Sequence, residues 1–105
     1  MQTIRAIIID PFRREVRKAA IENNREELQF VVGGGYLEFC ILINRNDVLF
    51  VSDLARWSER FIIGNVRSYS GCGVVIGSNG AGIDRSAKVS LKEIRNVVRF
   101  LDPSK

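Results

Sequence analysis

Glycine is concentrated in two short stretches of this chain, and these stretches indicate where the backbone turns or packs closely between regular elements. The first is the triplet Gly33-Gly34-Gly35, which follows an amphipathic segment. The second extends from Gly71 to Gly82 around a short apolar run. Because glycine enters conformations with φ > 0 at little steric cost, its backbone can lie directly against a ligand or another backbone. The pattern predicts two bare backbone segments, each a candidate for a tight turn or a binding surface.

Composition indicates one ordinary globular domain covering residues 1–105. Of the 105 residues, 46% are hydrophobic and 27% are charged, which is not the profile of a disordered tail. A domain of this size buries only about two-thirds of the surface that its unfolded chain exposes, so its core is thin. Self-association would enlarge that core, and we expect a homo-oligomer. The net charge of +4 suits an anionic partner, and it serves solubility equally well.

Cysteine usage and hydropathy indicate a cytoplasmic protein. Cys40 and Cys72 lie in apolar, strand-like surroundings without CxxC spacing, as buried and reduced cysteines do. The first residues carry no signal-peptide pattern, and no apolar run approaches the roughly 20 residues that span a bilayer. We therefore expect no membrane partner.

The first part of the chain predicts a buried strand and a second element of ambiguous type. Ile4 to Ile9 is rich in β-branched residues on both faces, and Asp10-Pro11 ends it in a turn. The segment Glu15 to Ile21 fits a helix started by Asp10 and Pro11, and its alternation also fits a strand paired back on the first. We favour the strand, with Phe12-Arg13-Arg14 as the turn.

A helix follows, because Asn24 can accept a hydrogen bond from the amide three residues on and acidic residues come next. It is predicted over Asn24 to Val32, and Gly33 ends it as a left-handed cap. The next segments are interpreted as a strand from Tyr36 to Ile43, a polar turn over 44–47, a strand from Val48 to Val51, a helical turn from Asp53 to Trp57, a loop entered over 61–65, and a strand from Cys72 to Ile76.

The last element carries the clearest pattern. Ser90 and Glu93 form a capping box, and apolar residues then repeat at helical spacing up to Leu101, so a helix is predicted over Leu91 to Leu101. The elements together predict a small α+β domain. Its sheet is mixed or mainly antiparallel, and its two helices cover about 24–32 and 91–101.

Each glycine cluster permits a binding interpretation and a purely structural one. In the binding interpretation of the triplet, bare amides meet an anionic group while Tyr36 stacks on a ring and Glu38 binds a hydroxyl or amine. In the structural interpretation, the triplet only ends a helix and forms a tight turn. The second cluster resembles a phosphate-cradling turn, but it lacks the lysine of GxxxxGK[ST] and an obvious following helix, so a plain loop remains open. If the clusters converge on one pocket, the candidate ligand-binding residues are Gly34, Gly35, Tyr36, Glu38, Arg67, Ser78, Asn79, Gly80 and Arg85.

Catalysis is not expected, because the chain contains no histidine to move protons near neutral pH or to activate a cysteine. No carboxylates cluster at metal-binding spacing, so neither a metal nor another cofactor is predicted. Arginines do neighbour aromatic residues, as Arg56 and Arg60 flank Trp57 and Arg67 precedes Tyr69. Such pairs can stack on and neutralise single-stranded nucleic acid or a nucleotide. The alternative is that the aromatic ring anchors a loop to the core.

Two segments carry a resemblance to a known family. Ile4-x-Ala6-x-Ile8-x-Asp10-Pro11, followed by Leu28-Gln29-x-x-Val32-Gly33-Gly34 and Tyr36-Leu37-Glu38, resembles an uncharacterised family of small phage and bacterial domains of unknown function. The similarity covers about the first forty residues, and the extra Gly35 and a short basic middle section depart from it. The resemblance implies a phage or mobile-element context, in which such small proteins are often accessory or counter-defence factors, and it supplies no catalytic residues.

The function predicted first is therefore non-enzymatic: a phage-type accessory protein that binds and sequesters a small anionic, nucleotide-like ligand. The alternative is an inhibitor that binds a host protein, such as a defence protein, or nucleic acid, with nucleic acid less favoured. A small enzyme is the third choice.

Overall fold

The computed structural model describes residues 3–42, 47–54, 56–64, 67–78 and 83–101, and these residues form nine strands and two helices. In chain order the elements are β1 (Thr3–Asp10), β2 (Glu15–Glu22), α1 (Arg25–Val31), β3 (Leu37–Leu42), β4 (Asp47–Ser52), β5 (Arg60–Ile63), β6 (Arg67–Ser70), β7 (Gly73–Ser78), β8 (Ile83–Arg85), α2 (Leu91–Val97) and β9 (Val98–Leu101).

The strands form two antiparallel sheets. The larger has the order β2-β1-β7-β4-β3, with β8 paired to the end of β7, and the smaller has the order β6-β5-β9. The α+β class with antiparallel sheets and two helices is confirmed. Among the described residues, neither helix is long and apolar enough to cross a membrane.

Both faces of the large sheet are covered, which explains the apolar character of its central strands. One face packs with the small sheet and α2 in a core that includes Ile7, Ile9, Leu49, Phe61 and Ile94. The other face packs against α1 through residues that include Ala6, Leu28, Val48, Val74 and Ile76. Strand β1 contributes alternate side chains to the two cores, as its unbroken isoleucine run predicted.

Pairing with β1 resolves the ambiguous segment after the first turn. Glu15–Glu22 pairs residue by residue with β1, from Asp10 opposite Glu15 to Thr3 opposite Glu22, so the strand interpretation is confirmed. The four-residue loop between them contains Arg14 at φ 55. That left-handed conformation costs a residue other than glycine about 1–2 kcal/mol.

Helix α1 begins and ends as its sequence predicted. The Glu27 amide donates to Asn24 Oδ1 at 2.7 Å, which satisfies one of the free amides of the first turn. At the other end the Gly33 amide donates to the Phe30 carbonyl and the Gly34 amide to the Gln29 carbonyl, with Gly33 at φ 100. These two bonds form a Schellman cap, so the prediction that Gly33 ends the helix is confirmed.

The predicted C-terminal helix is too long. It begins at the expected cap, where Ser90 Oγ accepts from the Glu93 amide at 3.1 Å, but it ends at Val97. Val98–Leu101 instead forms β9, antiparallel to β5. The β-branched and aromatic residues of this segment suit a strand, and pairing with β5 outweighs the helical spacing.

A prediction for the middle of the chain is also wrong, because the loop expected to begin at Phe61 is β5. In the Asp53–Trp57 segment, predicted as a helical turn, Asp53 and Leu54 lie in a turn, Arg56 and Trp57 are irregular, and Ala55 lies outside the described residues. Strand β5 turns through Gly64, at φ 61, towards β6. A four-residue strand has too short a pattern to be recognised without its neighbours.

Asp47 begins β4 and is fully buried, although the sequence predicts it in a polar turn. Its carboxylate accepts hydrogen bonds from the amides of Lys88 at 2.7 Å and Val89 at 3.0 Å. These bonds hold the segment before α2 against the large sheet, and they supply the partners that a buried carboxylate requires.

Candidate functional site

A cleft of about 90 Å³ lies between one end of β3 and β4 in the large sheet and the β5–β6 hairpin of the small sheet. Its walls combine a carboxylate, a guanidinium, hydroxyl groups and apolar surface. The lining residues are Glu38, Val51, Ser52, Arg60, Ser68, Tyr69 and Ser70.

Arg60 carries the positive charge of the cleft, and its orientation is set from across the hairpin. Its Nε and Nη2 donate to Ser68 Oγ at 3.2 and 3.0 Å, and Nη2 also donates to the Ser68 carbonyl at 3.4 Å. Within the described part of the chain, salt bridges are formed by Arg17 with Asp10 and Glu15. Arg60 is thus a half-buried cation whose charge no described carboxylate neutralises at salt-bridge distance.

The serine hydroxyl groups of the cleft differ in their hydrogen-bond partners. Ser52 Oγ donates to the Gly34 carbonyl at 2.7 Å and accepts from the Leu54 amide at 3.1 Å. Ser70 Oγ accepts from the Trp57 amide and donates to its carbonyl, at 2.9 and 2.7 Å. Both hydroxyls therefore hold neighbouring backbone in place. Ser68 accepts from Arg60, and its own proton has no acceptor among the described residues.

The amides of the glycine triplet are largely used within the chain, contrary to the prediction that they await an anion. The Gly34 amide donates to the end of α1. The Tyr36 amide donates to Asp53 Oδ1 at 2.9 Å, and the Asp53 amide donates to the Tyr36 carbonyl. A Cβ atom on Gly35 would lie 2.7 Å from Leu54 Cγ, so this glycine faces the protein's own side chains. The triplet is a helix cap and a tight turn.

Tyr36 and Glu38, both predicted as ligand-binding residues, lie near the cleft. The Tyr36 side chain is 75% exposed, and Glu38 lines the cleft. Residues two apart in extended backbone lie on the same face, so Tyr36 sits beside the mouth of the cleft.

The Gly77 end of the second glycine cluster does not converge with the first cluster. Gly77 pairs with Asp47 at one end of β4, whereas Leu37 pairs with Ser52 at the other. Five residues of antiparallel strand separate these ends by about 17 Å. Ser78 and Arg85 belong to β7 and β8 at the Asp47 end, and Arg67 begins β6. Asn79 and Gly80 lie outside the described residues.

The clusters do meet elsewhere, on an aromatic ring of the chain itself. A Cβ atom on Gly33 would lie 2.7 Å from Trp57 Cζ2, and one on Gly71 would lie 2.6 Å from Trp57 Cε3. Both glycines have positive φ, at 100° and 77°. The indole fits between two backbones that tolerate no side chain, and the interpretation of Trp57 as a loop anchor is confirmed.

Sequence reasoning missed Ser52, Ser68 and Ser70, and it noticed Arg60 only as a neighbour of Trp57. The alternation of Ser68 and Ser70 around the buried Tyr69 was the available signal, since it is typical of a strand with one polar face. The signal was lost because the partner strand β5 was interpreted as a loop.

Cys72 is half-buried and unpaired, and its surroundings disfavour the thiolate. Burial raises the pKa of this thiol from 9.0 to about 11, and the nearby Asp10 carboxylate contributes to the rise. The residue is therefore a neutral thiol at physiological pH, and not an activated nucleophile.

No family model matches the chain, and neither a curated protein nor a solved structure with significant similarity to it was found. The resemblance to small phage and bacterial domains stays a prediction. In the described ranges, no group of three histidine, cysteine, aspartate or glutamate residues is placed to hold a metal ion.

Proposed function

We propose that this protein binds and sequesters a small anionic, nucleotide-like ligand without transforming it. The observation that carries the proposal is Arg60, a cation oriented by Ser68 at the wall of a cleft, with no described carboxylate within salt-bridge distance. A guanidinium held in this way is pre-organised for the oxygens of a phosphate group. The Ser68 hydroxyl stands beside it as a further donor.

The size of the cleft determines which part of a nucleotide it takes. Pockets that enclose a whole drug-sized ligand measure roughly 300 to 1,000 Å³, whereas this cleft measures about 90 Å³. A phosphate-sized group fits inside, and the rest of the ligand lies at the mouth. There the exposed ring of Tyr36 offers a stacking surface for a base, and the Glu38 carboxylate can accept from a ribose hydroxyl or a base amine.

Binding without turnover is favoured by the chemistry of the lining residues. The chain contains no histidine, no thiol is among the described residues that line the cleft, and the Cys72 thiol elsewhere has a pKa of about 11. Sequestration of a nucleotide signal is the role that the phage-family resemblance suggests, and the host cell cytoplasm is the compartment in which it would act.

The test is calorimetric titration with a panel of nucleoside 5′-monophosphates and cyclic nucleotides, each beside its unphosphorylated nucleoside. Arg60→Ala is expected to lower the affinity for the phosphorylated ligand at least tenfold and to leave the affinity for the nucleoside unchanged. The matched control is Arg99→Ala, which removes an exposed arginine from β9 of the same small sheet. Bound ligand should be recovered chemically unchanged.

Two results would contradict the proposal. One is the failure of every phosphorylated nucleoside to bind the wild-type protein. The other is equal affinity of wild type and Arg60→Ala, with circular dichroism showing that the variant is folded, since the cleft would then contribute nothing. Conversion of the nucleotide to product would overturn only the claim that the ligand is not transformed, and it would leave the claim of binding unaffected.

A further inference from the structure

A second polar and aromatic surface lies outside the cleft and is formed by Phe12, Arg13, Arg56 and Trp57. The Phe12 and Trp57 rings meet edge to face, with centroids 6.5 Å apart and planes at 87°. The Arg56 guanidinium lies over the indole, 5.0 Å from the ring centroid. We call these residues the Phe12–Trp57 surface.

Phe12 is held out to solvent by its own turn. The buried Asp10 carboxylate accepts from the Phe12 amide at 3.0 Å and from the Arg13 amide at 3.2 Å, which orders the loop between β1 and β2. Arg14, in its left-handed conformation, donates through Nη2 to the Phe100 carbonyl at 3.3 Å and ties the loop to β9. Phe12 nevertheless stays 49% exposed. An apolar ring on an ordered, exposed loop is available to a partner without a cost of reorganisation.

The charge of this surface has one sign. Arg13 and Arg56 are exposed, and within the described ranges neither has a carboxylate at salt-bridge distance. Asp10, the nearest acid on the same loop, is buried, and its oxygens are occupied by backbone amides and by Arg17. The surface therefore attracts an anionic partner.

We infer that the Phe12–Trp57 surface binds single-stranded nucleic acid. Exposed bases stack on aromatic rings and on guanidinium planes, and the phosphates between them meet arginine. The Phe12 ring and the Arg56 guanidinium, both in contact with Trp57, supply both kinds of contact. Rings and arginines are also enriched in protein interfaces, and nucleic acid is favoured because the exposed cations Arg13 and Arg56 match the charge of its phosphates. This surface is separate from the Arg60 cleft, so the inference does not depend on the proposed function.

The experiment measures fluorescence anisotropy of labelled 12-nucleotide dT and U oligomers titrated with the full protein over a series of salt concentrations. Phe12→Ala and Arg56→Ala are each expected to weaken binding about tenfold. Arg56→Ala should also reduce the slope of log K against log salt by about 0.7, the value for one lost phosphate contact on a single strand. Phe12→Leu should retain part of the affinity, since it keeps apolar volume and loses the aromatic face.

Two matched control variants each remove a phenylalanine ring or an arginine that lies outside the Phe12–Trp57 surface. Phe30→Ala deletes a ring on α1 that is 80% exposed, and Arg99→Ala deletes an exposed cation on β9. Both should bind like the wild type. Absence of binding at low salt, or equal losses in the controls, would overturn the inference. Binding of polyglutamate with the same dependence on Phe12 would overturn it in favour of an acidic protein partner.

Discussion

A Cβ atom on Gly71 would lie 2.6 Å from Cε3 of Trp57, so the backbone of the glycine forms one wall of the indole site. The opposite wall is the cap of α1, and the Ser70 hydroxyl, next in the chain, binds both the amide and the carbonyl of Trp57. Three distant segments of the sequence are joined at this ring.

Gly71→Ala is expected to destabilise the protein more than Gly64→Ala. Both positions have positive φ, which costs an added side chain about 1–2 kcal/mol, but nothing lies within 4 Å of a Cβ atom at Gly64. Only at Gly71 must the indole move as well. Urea unfolding gives the two free energies. In a Trp57→Leu background the excess loss at Gly71 should shrink, and an unchanged excess would show that the indole is not the obstacle.

Asp47→Ala should cost about 2 kcal/mol or more, because it leaves the amides of Lys88 and Val89 without their carboxylate partner. Asp47→Asn keeps one acceptor oxygen and should lose less. Hydrogen exchange at the two amides provides the second measurement, and it should accelerate most in Asp47→Ala. Unchanged protection at both amides would mean that other groups satisfy them.

Ile94→Ala and Leu101→Ala were equivalent as positions of one helical stripe, and the structure separates them. Ile94 is fully buried between α2 and the large sheet, whereas Leu101 is 37% exposed on β9. Ile94→Ala is expected to cost about 2–4 kcal/mol and Leu101→Ala clearly less. Guanidinium unfolding of the two variants decides the matter, and a larger loss at Leu101 would contradict the end of α2 at Val97.

Cys72 should make stability depend on alkaline pH. Its pKa in the folded protein, about 11, lies above the ordinary value of 9.0, so its stabilising contribution is complete below pH 9 and is lost as the pH rises through 11. The difference in unfolding free energy between wild type and Cys72→Ala should therefore be constant up to pH 9 and then fall.

Alkylation by iodoacetamide in a Cys40→Ser background follows the same thiol directly, and its rate should stay low until the pH approaches 11. Rapid alkylation at pH 8 would show that the thiolate is accessible, and it would reopen the possibility of thiol chemistry.

Features of the fold that depend on adjacent residues could be predicted from the sequence. Asn24 and Ser90 cap their helices through the amide three residues on, a relationship contained within one turn. Gly33 ends α1 for an equally local reason, and the isoleucines of β1 indicate burial on both faces because they leave no polar side. Strand β2 could be favoured over a helix because only a short turn separates it from β1.

Features of the fold that depend on distant partners could not be predicted from the sequence. The apolar residues from Val98 to Leu101 fit a helical stripe and a strand equally well, and the choice is made by β5, which lies about forty residues earlier. The cleft has the same origin, since Arg60 and Ser68 meet only through the register of the β5–β6 hairpin. The sequence also suggests a pocket shared by the two glycine clusters, but the length of β4 separates the triplet from the Gly77 end of the second cluster.

The order of strands in the large sheet also has a consequence for how the protein is made. Ile7 finds its second neighbour, Val75, only after most of the chain has been synthesised, because β7 lies between β1 and β4. At about 5–20 residues per second, the intervening segment takes roughly 3 to 14 s to translate. During that interval β1 has β2 beside it and one unpaired edge, with three consecutive isoleucines that the finished domain buries. A nascent-chain chaperone would meet this hairpin before β7 emerges, and completion of the large sheet waits for the strand that closes it.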